Sequence, residues 1–233
     1  METLKNTTKR QKIKVKKNQY EKEFWAANAY ICGIDEVGRG CLAGPVVTAA
    51  VMLRPNSISN KIKDSKVMTH EERVKALAWI IKHGYIGIGI VHHRYIDTYN
   101  IYQSTLQAMK KAFCAVTAHA PHMPAAIVVD AMPLKLHDTA FGTVPVYSFC
   151  KGETLSISIA AASIVAKVYR DTLMNQIATI IPRYGLEQHK GYATPAHKTA
   201  VIMHGASLLH RVTFLRTLSS DKDEKNEKQL PLF

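Results

Sequence analysis

Cysteine is sparse and wrongly spaced for structural duty. Cys32, Cys41, Cys114 and Cys150 form no C-x-x-C pair, which argues against a zinc knuckle or a disulfide scaffold and leaves four reduced thiols. The eleven histidines include no H-E-x-x-H, so a zinc hydrolase of that kind is disfavoured. No uninterrupted apolar run reaches ~18 residues. The longest candidate, residues 157–168, contains Lys167, and no membrane-spanning helix is expected. The first residues lack the apolar stretch of a secretory signal, which favours the cytoplasm. Repeats and low-complexity blocks are absent as well. Acidic side chains are scarce: 18 Asp and Glu face 31 Lys and Arg, a formal net charge of +13. Such a balance points to a polyanionic partner, nucleic acid first, with a general solubility bias as the alternative.

What is present is an ordinary globular composition, 47% hydrophobic and 21% charged over 233 residues, enough for one large domain. Residues 1–22 are Lys-rich and without periodicity, and are expected to form a flexible basic arm. Residues 23–218 are expected to fold, and 219–233 to form a polar tail. Strands are predicted at 30–35, Val46–Leu53, 85–91, 127–130 and 143–149. A helix from Thr69 to His83 opens on a capping box, Thr69 with Glu72, and closes at Gly84. Longer helices are expected over 97–118 and 155–181. The order β-β-α-β-α-β-β-α implies an α/β fold with a mixed sheet and helices on its faces.

Against the scarcity of acids, the tripeptide Ile34-Asp35-Glu36 is conspicuous. It ends an apolar run and directly precedes Gly38-Arg39-Gly40, a turn whose glycines allow close approach to a phosphate. Alone, an Asp-Glu pair is commonly a polar turn. Asp130 closes a second apolar strand, Ile127-Val128-Val129-Asp130. If the two strands are adjacent and parallel, the three carboxylates meet at one sheet edge, a hard-oxygen set suited to Mg²⁺ or Mn²⁺. Asp171 is a fourth candidate, although spacing alone favours an exposed helix acid paired with Arg170 or Lys167. Four such carboxylates could support metal-assisted cleavage of a phosphodiester.

The run Gly33 to Gly40, followed by Leu42-Ala43-Gly44-Pro45-Val46, resembles the opening motif of the ribonuclease HII family. The likeness continues through Lys63-Asp64-Ser65-Lys66, Val129-Asp130, Lys151-Gly152, Ile159 to Lys167, Arg170-Asp171, Tyr184-Gly185, His189 to Thr194, and His210-Arg211. It spans about residues 30–214. The resemblance implies an RNase H-like fold, with a five-stranded mixed sheet flanked by helices and a helical C-terminal part. It implies Asp35, Glu36, Asp130 and Asp171 as the metal-holding catalytic acids. The substrates implied are RNA–DNA hybrids and single ribonucleotides embedded in duplex DNA, cut on the 5′ side to leave 3′-hydroxyl and 5′-phosphate ends.

In that family the ribonucleotide is read by the backbone matching Gly38, Arg39 and Gly40 together with the tyrosine matching Tyr192. The 2′-hydroxyl is the group that marks RNA at one site. Lys66, Lys151, Lys167 and Lys190 lie in matching blocks and are candidates for phosphate contacts. Two positions depart from the pattern: Ala131 stands where a Gly is expected after the strand-ending Asp, and Glu153 where an Asp is expected after Lys-Gly. The chain ends in Gln229-Leu230-Pro231-Leu232-Phe233, which resembles the peptide by which bacterial repair proteins dock on the sliding clamp. Its anchors would be Gln229, Leu230, Leu232 and Phe233, on a polar tether. Two competing readings are a catalytically silent nucleic-acid binder on the same fold and a nuclease acting on all-DNA substrates. A monomer is the default expectation.

Overall fold

The computed structural model describes residues 17–136 and 141–220, with main chain alone for 217–220. Its strands are Ile31–Val37 (β1), Val46–Leu53 (β2), Gly84–Val91 (β3), Ala126–Asp130 (β4) and Val146–Phe149 (β5). They form one mixed sheet in the order β3-β2-β1-β4-β5. β2 is antiparallel to both β1 and β3, whereas β4 is parallel to both β1 and β5. The helices are Gln19–Ala26 (α1), His70–His83 (α2), His93–Thr117 (α3), Gly152–Leu155 (α4), Ile157–Ile180 (α5), Leu186–His189 (α6), Pro195–His204 (α7) and Val212–Ser220 (α8). The expected sheet and its flanking helices are therefore present. None of the helices among the described residues is long and apolar enough to cross a membrane.

Both faces of the central strands are covered, which is why β1, β2 and β4 read as nearly continuous apolar runs rather than alternating ones. Alternation sorts their side chains between two cores. Ile31, Ala126 and Val128 pack with Ile159, Ala161 and Ala162 of α5, while Cys32, Ile34, Ile127 and Val129 pack with Met109, Ala112 and Phe113 of α3. The small residues of α5 let it lie almost on the sheet. A Cβ placed on Gly33 would sit 2.1 Å from the carbonyl carbon of Ser158, so no residue but glycine fits where β1 crosses α5.

The predicted capping box of α2 is formed: Glu72 N–H donates to Thr69 Oγ1 at 3.2 Å, and Thr69 N–H to Glu72 Oε2 at 2.8 Å. Several boundaries differ from expectation. α3 begins at His93, where His92 caps it, and it is broken at Asn100, whose φ of 63° is left-handed and whose side chain caps Gln103. Ser156 is extended and separates α4 from α5. Residues 19–22, expected within the basic arm, belong to α1, because Glu21 is buried against the start of α5 and accepts from Ser156 Oγ and from Ser158 N–H. A carboxylate is favoured at that helix end. α8 likewise runs to Ser220, two residues into the expected tail. Residues 1–16 of the arm and the peptide carrying Gln229, Leu230, Leu232 and Phe233 lie outside the described residues.

Candidate active site

β1 and β4 are parallel neighbours paired through Ile34 and Val129, so the next residue of each strand, Asp35 and Asp130, leaves the sheet at the same edge. Both share the α5 side with Ile31 and Val128, whereas strand alternation turns Glu36 toward the other side. Asp35 is buried, and Ser163 of α5, whose hydroxyl is hydrogen-bonded with that of Ser65 at 2.8 Å, favours its charged form. Asp130 Oδ1 accepts the Gly152 N–H at 2.8 Å. Glu36 Oε1 faces Arg39 Nη1 at a long 3.4 Å, and its buried Oε2 has no hydrogen-bond partner.

This edge is electrostatically strained. Burial, then the Glu36 charge and more weakly that of Asp130, hold the Asp35 carboxyl well above its ordinary range, against the pull of Ser163. Burial also raises Glu36, only partly offset by Arg39. Asp130 is raised by burial and by Glu153, whose carboxyl faces it. Glu153 itself is lowered: burial would raise it, but the Lys66 ammonium at 2.9 Å, main-chain hydrogen bonding and Asp130 together outweigh burial. Glu153 Oε2 is buried and has no hydrogen-bond partner. Glu153 is a fifth carboxylate at the site. The sequence marked it only as a departure from the Lys-Gly-Asp pattern.

Asp171 reaches the same region by way of α5. β1 touches this helix at Gly33 and Ser158, at Asp35 and Ser163, and, just past the strand, at Gly38 and Arg170. Five residues of extended chain and twelve of helix both cover about 17–18 Å, so the two segments advance side by side. Asp171 therefore stands beside the loop that follows β1. It is buried, and Lys167 Nζ donates to its Oδ1 at 2.9 Å. The pairing with Lys167 weighed from spacing is real, and it lies inside rather than on the helix surface.

Residues 38–45 cross this end of the site and join the segment carrying Tyr192 through a bridge between Cys41 and Tyr192. The Tyr192 ring lies under Lys167 Nζ at 5.6 Å and Arg170 Cζ at 5.8 Å. It opens on a cleft of about 510 Å³ whose lining includes His70, Arg73, Lys167, Asp171 and Lys190. The Tyr192 carbonyl is held in turn by a chain of neutral histidines. A carbonyl can only accept, so His197 Nδ1 donates to it at 2.9 Å. Ser207 N–H donates to His210 Nδ1 at 2.9 Å, which leaves His210 Nε2 to donate to His197 Nε2 at 3.1 Å.

Two fully buried arginines underpin the loop. Arg170 donates to the carbonyls of Pro45, Ala43 and Lys190. Arg211 donates to those of Gly38, Arg39 and Gly44. Sequence reading matched both arginines without giving them a role. Arg170 lies seven residues after Ser163, on the same buried face of α5, and that helical spacing was the available signal. Of the candidate lysines, Lys66 and Lys167 are engaged with site acids, Lys190 lines the Tyr192 cleft, and Lys151 is exposed before α4. Ala131 adopts φ 53°, so the turn after Asp130 keeps the left-handed form expected of glycine despite its side chain. Cys32 and Cys41 are buried free thiols, and Cys114 and Cys150 are exposed ones.

The donor set suits a hard divalent cation. Oxygen ligands prevail, two buried carboxylate oxygens at the site lack partners, and Asp35, Glu36 and Asp130 are all held above their ordinary range, chiefly by burial. Among the described residues no three His, Cys, Asp or Glu side chains converge closely enough to form a ready metal group. Mg²⁺ does not require one, since it commonly takes one or two carboxylates and completes its shell with water and phosphate.

Comparison with known proteins places this geometry in a family. Ribonuclease HII of Lactobacillus delbrueckii subsp. bulgaricus is 40% identical over 196 residues, covering 84% of this chain and 73% of that one. Among solved structures, the PCNA:RNase HII complex from Archaeoglobus fulgidus superposes with a TM-score of 0.67 at 21% identity, covering 85% of this chain and 98% of that one. Bst-RNase HIII in complex with Mn²⁺ gives 0.66 at 22% identity, covering 85% and 71%. Residues 32–217 match the family described as Ribonuclease HII, from the second residue of β1 into α8, and the chain belongs to that family of ribonuclease H hydrolases.

Proposed function

We propose that this enzyme hydrolyses the phosphodiester on the 5′ side of a ribonucleotide, in RNA–DNA hybrids and at single ribonucleotides within duplex DNA, leaving 3′-hydroxyl and 5′-phosphate ends. Its role is the excision of misincorporated ribonucleotides and of primer RNA, in the cytoplasm. The observation that carries the reading is the juxtaposition of Asp35 and Asp130 on adjacent parallel strand ends, flanked by the loop of Gly38, Arg39 and Gly40 and by Tyr192. Asp35, Glu36 and Asp130 would hold Mg²⁺ or Mn²⁺, with Asp171 completing the set. When bound, the cation supplies an activated water and stabilises the leaving oxygen. Glu153, paired with Lys66 at 2.9 Å, stands beside Asp130 at the edge of this set. Gly38, Arg39 and Gly40 meet the 2′-hydroxyl by backbone groups, while Tyr192 supports the adjoining sugar. Lys66, Lys151, Lys167 and Lys190 contribute phosphate contacts, which makes binding salt-dependent. The terminal peptide with Gln229, Leu230, Leu232 and Phe233 docks on a sliding clamp, in line with the PCNA:RNase HII complex from Archaeoglobus fulgidus.

One assay tests the core of this reading. Duplex DNA carrying a single ribonucleotide, and its all-DNA counterpart, are incubated with Mg²⁺, Mn²⁺ or EDTA. Cleavage of the first alone, blocked by EDTA, is the expected result. Cleavage of both duplexes, or of neither with either metal, overturns it.

A further inference from the structure

Arg211 is fully buried, and its described hydrogen bonds all go to main-chain carbonyls: Nη2 to Gly38 O at 2.7 Å, Nη1 to Arg39 O at 2.8 Å, and Nε and Nη2 to Gly44 O at 3.0 and 2.9 Å. Its place after His210 puts it at the start of α8, far along the chain from the loop it grips. The peptide bonds here are trans, and in a trans peptide the C=O of one residue and the N–H of the next point in opposite directions. By drawing the carbonyls of Gly38 and Arg39 inward, the guanidinium turns the N–H groups of Arg39 and Gly40 outward. Neither amide donates to another described residue. Gly40 is exposed, with no atom within 4 Å of where a Cβ would stand. The outcome is two adjacent, unpartnered donors on a loop clamped from behind by a cation, the type of backbone concavity that receives an oxygen.

We propose that Arg211 is the positioning residue for ribonucleotide recognition, holding the Arg39 and Gly40 amides in the orientation that meets the substrate's 2′-hydroxyl and adjoining phosphate. This rests on the reading of residues 38–40 as the ribonucleotide sensor. Its fork matters as well as its charge, because three separate carbonyls are held at once. Lysine in its place would keep the charge and release at least one peptide plane. A merely structural role would lower stability without altering the preference for a ribonucleotide.

The test compares the wild-type chain with Arg211→Ala and Arg211→Lys on a duplex bearing one ribonucleotide, and measures affinity for the all-DNA duplex by anisotropy without added metal. For Arg211→Ala, kcat/KM on the ribonucleotide duplex should fall about 100-fold, the order expected when a positioned group shifts by an ångström. All-DNA affinity should stay within about twofold of wild type. Millimolar guanidinium ion should restore part of the lost rate in Arg211→Ala and none in Arg211→Lys. If Arg211→Ala does not fold, Arg211→Lys decides, with a loss of about tenfold or more in kcat/KM at unchanged all-DNA affinity expected. A folded variant retaining wild-type kcat/KM, or one losing both quantities in parallel, overturns the assignment. A wild-type enzyme that does not distinguish the two duplexes would instead overturn the reading on which it rests.

Discussion

Gly33→Ala couples the packing of the fold to its chemistry. The added Cβ would lie 2.1, 2.3 and 2.5 Å from three main-chain atoms of Ser158 and Ile159, whereas ordinary contact begins near 3.4 Å. The deficit at the closest atom is 1.3 Å, and helix backbone offers no rotamer to absorb it. α5 must therefore move off β1. Overpacking of this kind costs about 1–3 kcal/mol, which for a domain of this size lowers Tm by roughly 2–12 °C. The same helix carries Ser163 against Asp35, and Asp171 beside the loop, so an ångström-scale retreat also opens the site. A fall in kcat/KM of about 100-fold is expected on a ribonucleotide-containing duplex. Thermal melts and initial rates measured on one preparation check both quantities. Gly40→Ala serves as the stability control, since nothing stands within 4 Å of its Cβ position, and its stability should stay within about 0.5 kcal/mol of wild type. A Gly33→Ala protein that melts with wild type and cleaves at the wild-type rate would refute the close approach of β1 and α5 as the device that assembles the site.

Asp35→Asn should abolish cleavage yet raise Tm at neutral pH. The folded-state pKa of Asp35 is raised, so the native state is favoured at low pH and loses stability as pH rises through that value, a loss that Asn removes. Melts in EDTA across pH 4–8 would show it, and a less stable Asp35→Asn at pH 7 would contradict it. Ala131→Gly should stabilise by up to about 1 kcal/mol, because its φ of 53° is one that an L side chain resists; a loss larger than that would count against the turn described. His210 is pushed down to about 4 by burial and by His197. The unfolded chain then binds the extra proton first, and stability of the order of 3 kcal/mol should be lost as pH falls from about 6.5 toward 4. His210→Gln should flatten that part of the Tm profile, and an unchanged slope would rule the histidine chain out as its source. Deleting residues 229–233 should weaken clamp binding and leave cleavage of short duplexes intact, and equal clamp affinity afterwards would dismiss the docking role.

Periodicity and punctuation alone located the strands, the Thr69–Glu72 cap and the α/β order, because these depend on neighbours a few residues apart. Sequence resemblance likewise named Asp35, Glu36, Asp130 and Asp171 as a set. The parallel pairing of β1 with β4 lay beyond local sequence, and it is this pairing that sends Asp35 and Asp130 to one edge of the sheet. Glu153 enters the site only because α4 folds back under Asp130, and Glu21 leaves the expected arm because a buried helix end draws its carboxylate. Arg170 and Arg211 lay in matched blocks of sequence that assigned them no task. Burial against carbonyls contributed by loops up to 173 residues away in sequence gave them their task, since unpaired main-chain oxygens in the interior demand donors and only the tertiary fold determines which side chain can reach them.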